Sequence, residues 1–134
     1  MLNTNFTVAN VGPLKDLLTF PNGKVFMKDN IKATGAELSF QLMPAGTESP
    51  FFHSHKQNEE IYVVIRGRGK MQVDETVFDL QEGTVVRVAP AGVRSMRSAD
   101  DSELVFMVIQ VKENSLTQWT GEDGNMETAK SKLS

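Results

Sequence analysis

The strongest constraint on the fold is rhythm: from Ala36 onward, short β-prone runs alternate with turn residues every eight to twelve positions. That spacing predicts a sandwich or barrel rather than a helical fold. The runs lie at residues 24–28, 37–43, 60–66, 70–73, 77–80, 84–89, 94–98 and 104–112. Between them come Pro44-Ala45-Gly46, Gly67-Arg68-Gly69, Asp74-Glu75, Gln81-Glu82-Gly83, Pro90-Ala91-Gly92 and Asp100-Asp101. Glycine supplies positive φ in such turns and proline stops ladder pairing. Lys70, Met71, Gln72 and Val73 alternate as a strand with one wet face does. Residues 61–65 (IYVVI) are apolar on both faces, which requires a sheet covered front and back. Both patterns fit an all-β jelly roll, a double-stranded β-helix that leaves few open edges.

At 134 residues the chain reads as one domain with enough surface to bury a single core. The barrel is expected over residues 1–112, with a polar C-terminal tail at 113–134, docked through Leu116 and Trp119 and then frayed. Leu14, Leu17 and Leu18 stand at i, i+3, i+4, predicting a helical turn over 13–18 that covers a barrel edge. A net charge of −3 argues against a nucleic-acid partner. The absence of cysteine excludes disulfides, thiolate zinc and a thiol nucleophile. Residues 1–10 show no secretory leader, and the longest apolar run, 104–109, is far short of a membrane span of ~20 residues. A cytoplasmic protein with no membrane partner is the expectation.

Both histidines of the chain, His53 and His55, are two residues apart. On extended backbone such residues face the same way, and their rings can converge on one ion. The acidic pair Glu59-Glu60 follows a turn at 56–58, and only one of the two can share that face. Two imidazoles and a carboxylate are the donor set of non-haem Fe(II) sites with open positions. The competing reading is a polar pair satisfied by backbone carbonyls, with the acid as a rim charge.

The segment HSHKQNEEIYVVIRG, from His53 to Gly67, resembles the first motif of the cupin superfamily, G-x5-HxH-x3/4-E-x6-G, in its small single-barrel form. The six-residue step to Gly67 selects Glu60 as the third ligand, while Gly46 stands one residue too far from His53. The second motif, G-x5-PxG-x2-H-x3-N, is degenerate: Gly83, Pro90 and Gly92 are present, but Ser95 fills the histidine slot and Ala99 the asparagine slot. The resemblance spans roughly residues 37–111. It implies one divalent transition metal (Fe, Mn, Ni or Zn) on His53, His55 and Glu60, with water, substrate or another side chain completing the shell. A metal-free barrel is the alternative that the missing histidine leaves open.

If Ser95 faces inward as that histidine would, Arg97 does too, and its guanidinium needs either an anionic substrate or an acid such as Glu60. Tyr62 shares the face of Glu60, and Met71 is expected to line the barrel beside it, so Arg97, Tyr62, Ser95 and Met71 form the expected substrate wall. Gln41 and Glu59 are the candidates for hydrogen-bonding the metal ligands. The function implied is a dioxygenase-type or isomerase-type enzyme acting on a small anionic molecule. The alternative is a non-catalytic binding or sensory barrel, which in this superfamily often carries a DNA-binding domain that 134 residues leave no room for. The resemblance also implies a homodimer.

Overall fold

The computed structural model describes residues 5–134; Met1 to Thr4, the start of the segment read as lacking a leader, lie outside them. Among the described residues there are eight strands: β1 (Lys24–Phe26), β2 (Glu37–Met43), β3 (Asn58–Gly67), β4 (Gly69–Val73), β5 (Thr76–Leu80), β6 (Val85–Val88), β7 (Arg94–Ser98) and β8 (Leu104–Lys112). They form a five-stranded sheet in the order β1-β2-β8-β3-β6 and a three-stranded sheet in the order β5-β4-β7. All pairings are antiparallel. This is the expected all-β jelly roll.

The core lies between the sheets. Met43, Tyr62, Val64, Leu80, Val88, Leu104, Phe106 and Val108 pack there against Met71 and Met96, which stand opposite each other on β4 and β7. The outer face of the larger sheet is covered as well. A 3-10 turn at Leu14–Thr19 sets Leu17, 0% exposed, on Leu42 and Val105, with Phe40 and Ile65 beside them. Burying one such leucine contributes about 1.5–3 kcal/mol. The double-sided apolar pattern of residues 61–65 thus has its physical cause: even positions face the barrel and Ile65 faces the cap.

A register shift between Val64 and Arg66 on β3 lets Gly67 pair with Leu104. Gly67 has φ of 90°, and a Cβ there would stand 1.8 Å from the carbonyl oxygen of Glu103, so no other residue fits.

β1 ends at Phe26 rather than at residue 28. The Glu37 carboxylate accepts from the backbone N–H of Met27 (3.2 Å) and Lys28 (2.9 Å), and the chain turns there into a short helix, α1 (Lys28–Ile31). At the other end Leu116 and Trp119 are 79% and 78% exposed, so the anchoring expected of them is not made. No helix among the described residues is long and apolar enough to cross a membrane.

Candidate metal centre and adjoining cavity

The histidine pair sits on extended backbone that runs along β7. His53 N–H donates to the Arg94 carbonyl (3.1 Å), Arg94 N–H returns to the His53 carbonyl (2.9 Å), and His55 N–H donates to the Pro90 carbonyl (2.8 Å). These bonds fix both rings over the start of β3, where Glu60 points into the barrel. His53 Nε2 lies 3.4 Å and His55 Nε2 3.3 Å from the same Glu60 oxygen, Oε1. The three donor atoms fall within 4.8 Å of one another.

Whether these residues suit an ion can be judged from the spacing. Donors at about 2.0–2.1 Å from a tetrahedral ion lie roughly 3.3–3.4 Å apart. The two nitrogen-to-oxygen distances match that span. His55 Nε2 is moreover buried without a hydrogen-bond partner among the described residues, which suits a metal-ligating nitrogen. The donor set fits a divalent transition metal.

Glu60 is held by two further groups. The Tyr62 hydroxyl donates to Oε1 at 2.7 Å, and Arg94 Nη1 donates to the same oxygen at 2.8 Å. Arg94 is 1% exposed, and its Nη2 donates to the Ala89 carbonyl at 2.7 Å. Burial alone would raise the Glu60 pKa. The Tyr62 hydrogen bond and the charges of His55, Arg94 and His53 outweigh it, so the carboxyl is held below its ordinary range. Burial lowers the His53 pKa, only partly offset by Glu60, which favours the neutral ring that a metal needs. Tyr62 is pushed well above the ordinary phenol range by burial and by Glu60, and it stays a donor.

The residue facing this cluster from β7 is not the one expected. Arg94, Met96 and Ser98 point inward, whereas Ser95 and Arg97 take the opposite face of the strand, opposite Gln72 and Lys70 of β4. Arg97 is exposed and pairs with Asp100 (2.7 Å) and Glu48 (4.0 Å), far from any inward clamp. The expectation assumed that Ser95 inherits the facing of the histidine it replaces; the bridge between His53 and Arg94 instead places Arg94 inward, one residue earlier. Ser95 contributes to the cavity wall, but its Oγ is buried and lacks a partner among the described residues. Met71 is 0% exposed and belongs to the core, away from the cavity wall.

Glu59 faces outward and accepts from Arg87 Nε at 2.6 Å, so it orients neither imidazole. Gln41 does share the inward face and lines the cavity, yet among the described residues it makes no hydrogen bond to a histidine. The partner that orients a ligand is Tyr62, expected only as a wall residue.

A cavity of about 600 Å³ opens beside the cluster. His53, Glu60, Tyr62 and Arg94 form its polar part, and Met43, Phe51, Met96, Phe106 and Val108 its apolar wall. A smaller space of about 210 Å³ adjoins it and shares Lys24, Phe51, His53 and Glu60. Lys24, passed over in the sequence, thus stands at the junction of both, placed on the inner face by its pairing with Gln41 across β1 and β2.

Comparison with known proteins agrees with this architecture. A crystal structure of a cupin protein from Bacteroides fragilis is 38% identical and superposes with a TM-score of 0.83, over 94% of this chain and 100% of that one. A cupin-like protein from Thermotoga maritima is 25% identical with a TM-score of 0.58, over 66% of each chain. An uncharacterised protein of Methanocaldococcus jannaschii is 30% identical over 59 residues, 44% of this chain and 46% of that protein, so the chain spans less than half of that curated relative. Residues 39–110, more than half of the sequence, match the model of the cupin domain. With its two-sheet barrel, its paired histidines and its inward glutamate, the chain belongs to the cupin family.

Proposed function

We propose that this protein is a metal-dependent cupin enzyme of dioxygenase or isomerase type, with one divalent ion on His53, His55 and Glu60 and a small anionic substrate in the adjoining cavity. The observation that carries this reading is the convergence of two Nε2 atoms on one buried carboxylate oxygen, at 3.3 and 3.4 Å, in the wall of a cavity large enough for a metabolite. A bound ion supplies Lewis acidity or oxygen activation, with coordination positions open to substrate. The protein's own residues prepare the site. Tyr62 and Arg94 keep Glu60 ionised and oriented, the burial of His53 keeps its ring neutral, and Met96, Phe106 and Val108 exclude water. Membership of the family further supports a homodimer, which light scattering of the purified protein tests.

A second reading, a ligand-binding barrel without catalysis, has one observation in its favour: Arg94 already neutralises Glu60 with a buried cation. Metal analysis of protein purified without chelator or histidine tag separates the two. Stoichiometric iron, manganese, nickel or zinc, lost in His53→Ala, followed by oxygen uptake or isomer formation with small carboxylic acids, supports the enzyme. If no added metal binds and His53→Ala leaves ligand binding intact, the enzyme reading fails.

A further inference from the structure

One cation at the cavity lacks a direct ion pair, and it points to a ligand. Arg94 and Glu60 cancel each other through a 2.8 Å ion pair. Glu48, on the rim, is directed to Arg97 on the outer face. Lys24 remains. Its ammonium is half-buried where the two cavities meet, beside Phe51, His53 and Glu60. Among the described residues it makes no ion pair; its one close contact is the Phe26 ring, 4.7 Å from Nζ to the ring centre. Burial lowers its pKa, with Glu60 and Glu37 only partly compensating from a distance.

A partly desolvated ammonium with no acid within ion-pair distance is costly, and an anion arriving within hydrogen-bond reach recovers part of that cost. One wall of the larger cavity is apolar, with Phe51, Met96, Val108 and the tilted Tyr62–Phe106 pair, centroids 6.3 Å apart. A dianion or a sugar phosphate would leave charge against this wall.

We infer that Lys24 is the anion-binding group of the cavity, and that the ligand is a small monocarboxylate with an aromatic or branched apolar body. The carboxylate sits at Lys24, and the body lies against Phe106, Met96 and Val108. This deepens the reading of the site given above by naming the substrate class, but it does not depend on the metal. Arg97, on the outer face, has no part in it.

The test uses phenylacetate and its neutral counterpart phenylacetamide as probes, titrated calorimetrically into the full-length protein after EDTA treatment and again after zinc loading. Phenylacetate is expected to bind at least tenfold tighter than phenylacetamide, and Lys24→Gln to remove that preference while Lys24→Arg keeps most of it. Zinc affinity measured separately on Lys24→Gln should stay within a few-fold of the wild type, which separates loss of anion binding from loss of the metal site or of folding. Equal binding of acid and amide, undiminished phenylacetate binding by Lys24→Gln, or no binding of phenylacetate in either form overturns the inference. If zinc fails to bind while the Lys24-dependent preference persists, the metal reading falls and the ligand class stands.

Discussion

Replacing Arg94 by methionine tests the electrostatic heart of the site, because it keeps an apolar stem of similar length and removes the guanidinium with its bonds to Glu60 and to the Ala89 carbonyl. Arg94 is 1% exposed and Glu60 6% exposed, so the ion pair between them at 2.8 Å is protected from solvent. Breaking a buried pair by removing one partner costs about 3–5 kcal/mol. Glu60 keeps its 2.7 Å bond from Tyr62, which places the expected loss at the lower end, about 3 kcal/mol. For a chain of this length that is a drop in Tm of about 10 °C in the metal-free protein.

With zinc bound the loss should largely disappear. The ion and the guanidinium compete for the same oxygen, Oε1, and two cations beside it repel, so Arg94 contributes little or nothing to the loaded state. Closing the thermodynamic cycle, the variant should bind zinc more tightly than the wild type by most of the stability it lost, about 2–3 kcal/mol or roughly 30–150-fold. Thermal unfolding with and without zinc, together with a competitive zinc titration, measures both arms. If Arg94→Met melts with the wild type in EDTA, or if zinc binds both proteins equally, the guanidinium is not the counter-ion of Glu60 and the reasoning fails.

Two further outcomes follow from the geometry. In EDTA, His53 has a folded pKa below its ordinary 6.5, so the unfolded chain binds more protons as pH falls through that value. Stability should therefore decline on acidification from about pH 7 downward and decline again below about pH 4.5, where the unfolded chain takes up a proton at Glu60 before the folded one does. His53→Ala should remove the first decline in a series of melts across pH, and a wild-type Tm that rises on acidification between pH 7 and 5 would contradict this. Gly67→Ala places a Cβ on the Glu103 carbonyl at positive φ, so it should lower stability in urea unfolding by more than about 1 kcal/mol, whereas Gly121→Ala in the open tail should change it by less than about 0.5 kcal/mol.

The β framework was legible in the residues because turn chemistry is local. The limits of β2, β7 and β8, at Glu37–Met43, Arg94–Ser98 and Leu104–Lys112, coincide with the runs delimited by Pro44, Gly92 and Asp100-Asp101 and their neighbours. The pairing of His53 and His55 was legible for a similar reason, two positions on one extended segment, whereas Glu60 was singled out over Glu59 by the resemblance to the cupin motif and the structure brings it to the pair. The helix α1 was not legible, since the backbone amides that stop β1 are satisfied by Glu37, nine to ten residues further on.

What only the tertiary structure decided is which face each charged side chain takes. Along β7 a shift of one residue exchanges the two faces, so assigning the inward place to Ser95 sent Arg97 to the cavity, while the ladder to His53 and to β4 sends Arg94 there instead. Lys24 is the same case on β1, polar in sequence yet facing inward because its strand is in register with Gln41. Alternation fixes relative facing within a strand, but the absolute facing belongs to hydrogen bonds made across strands far apart in the chain, and no single segment contains both halves of that pairing.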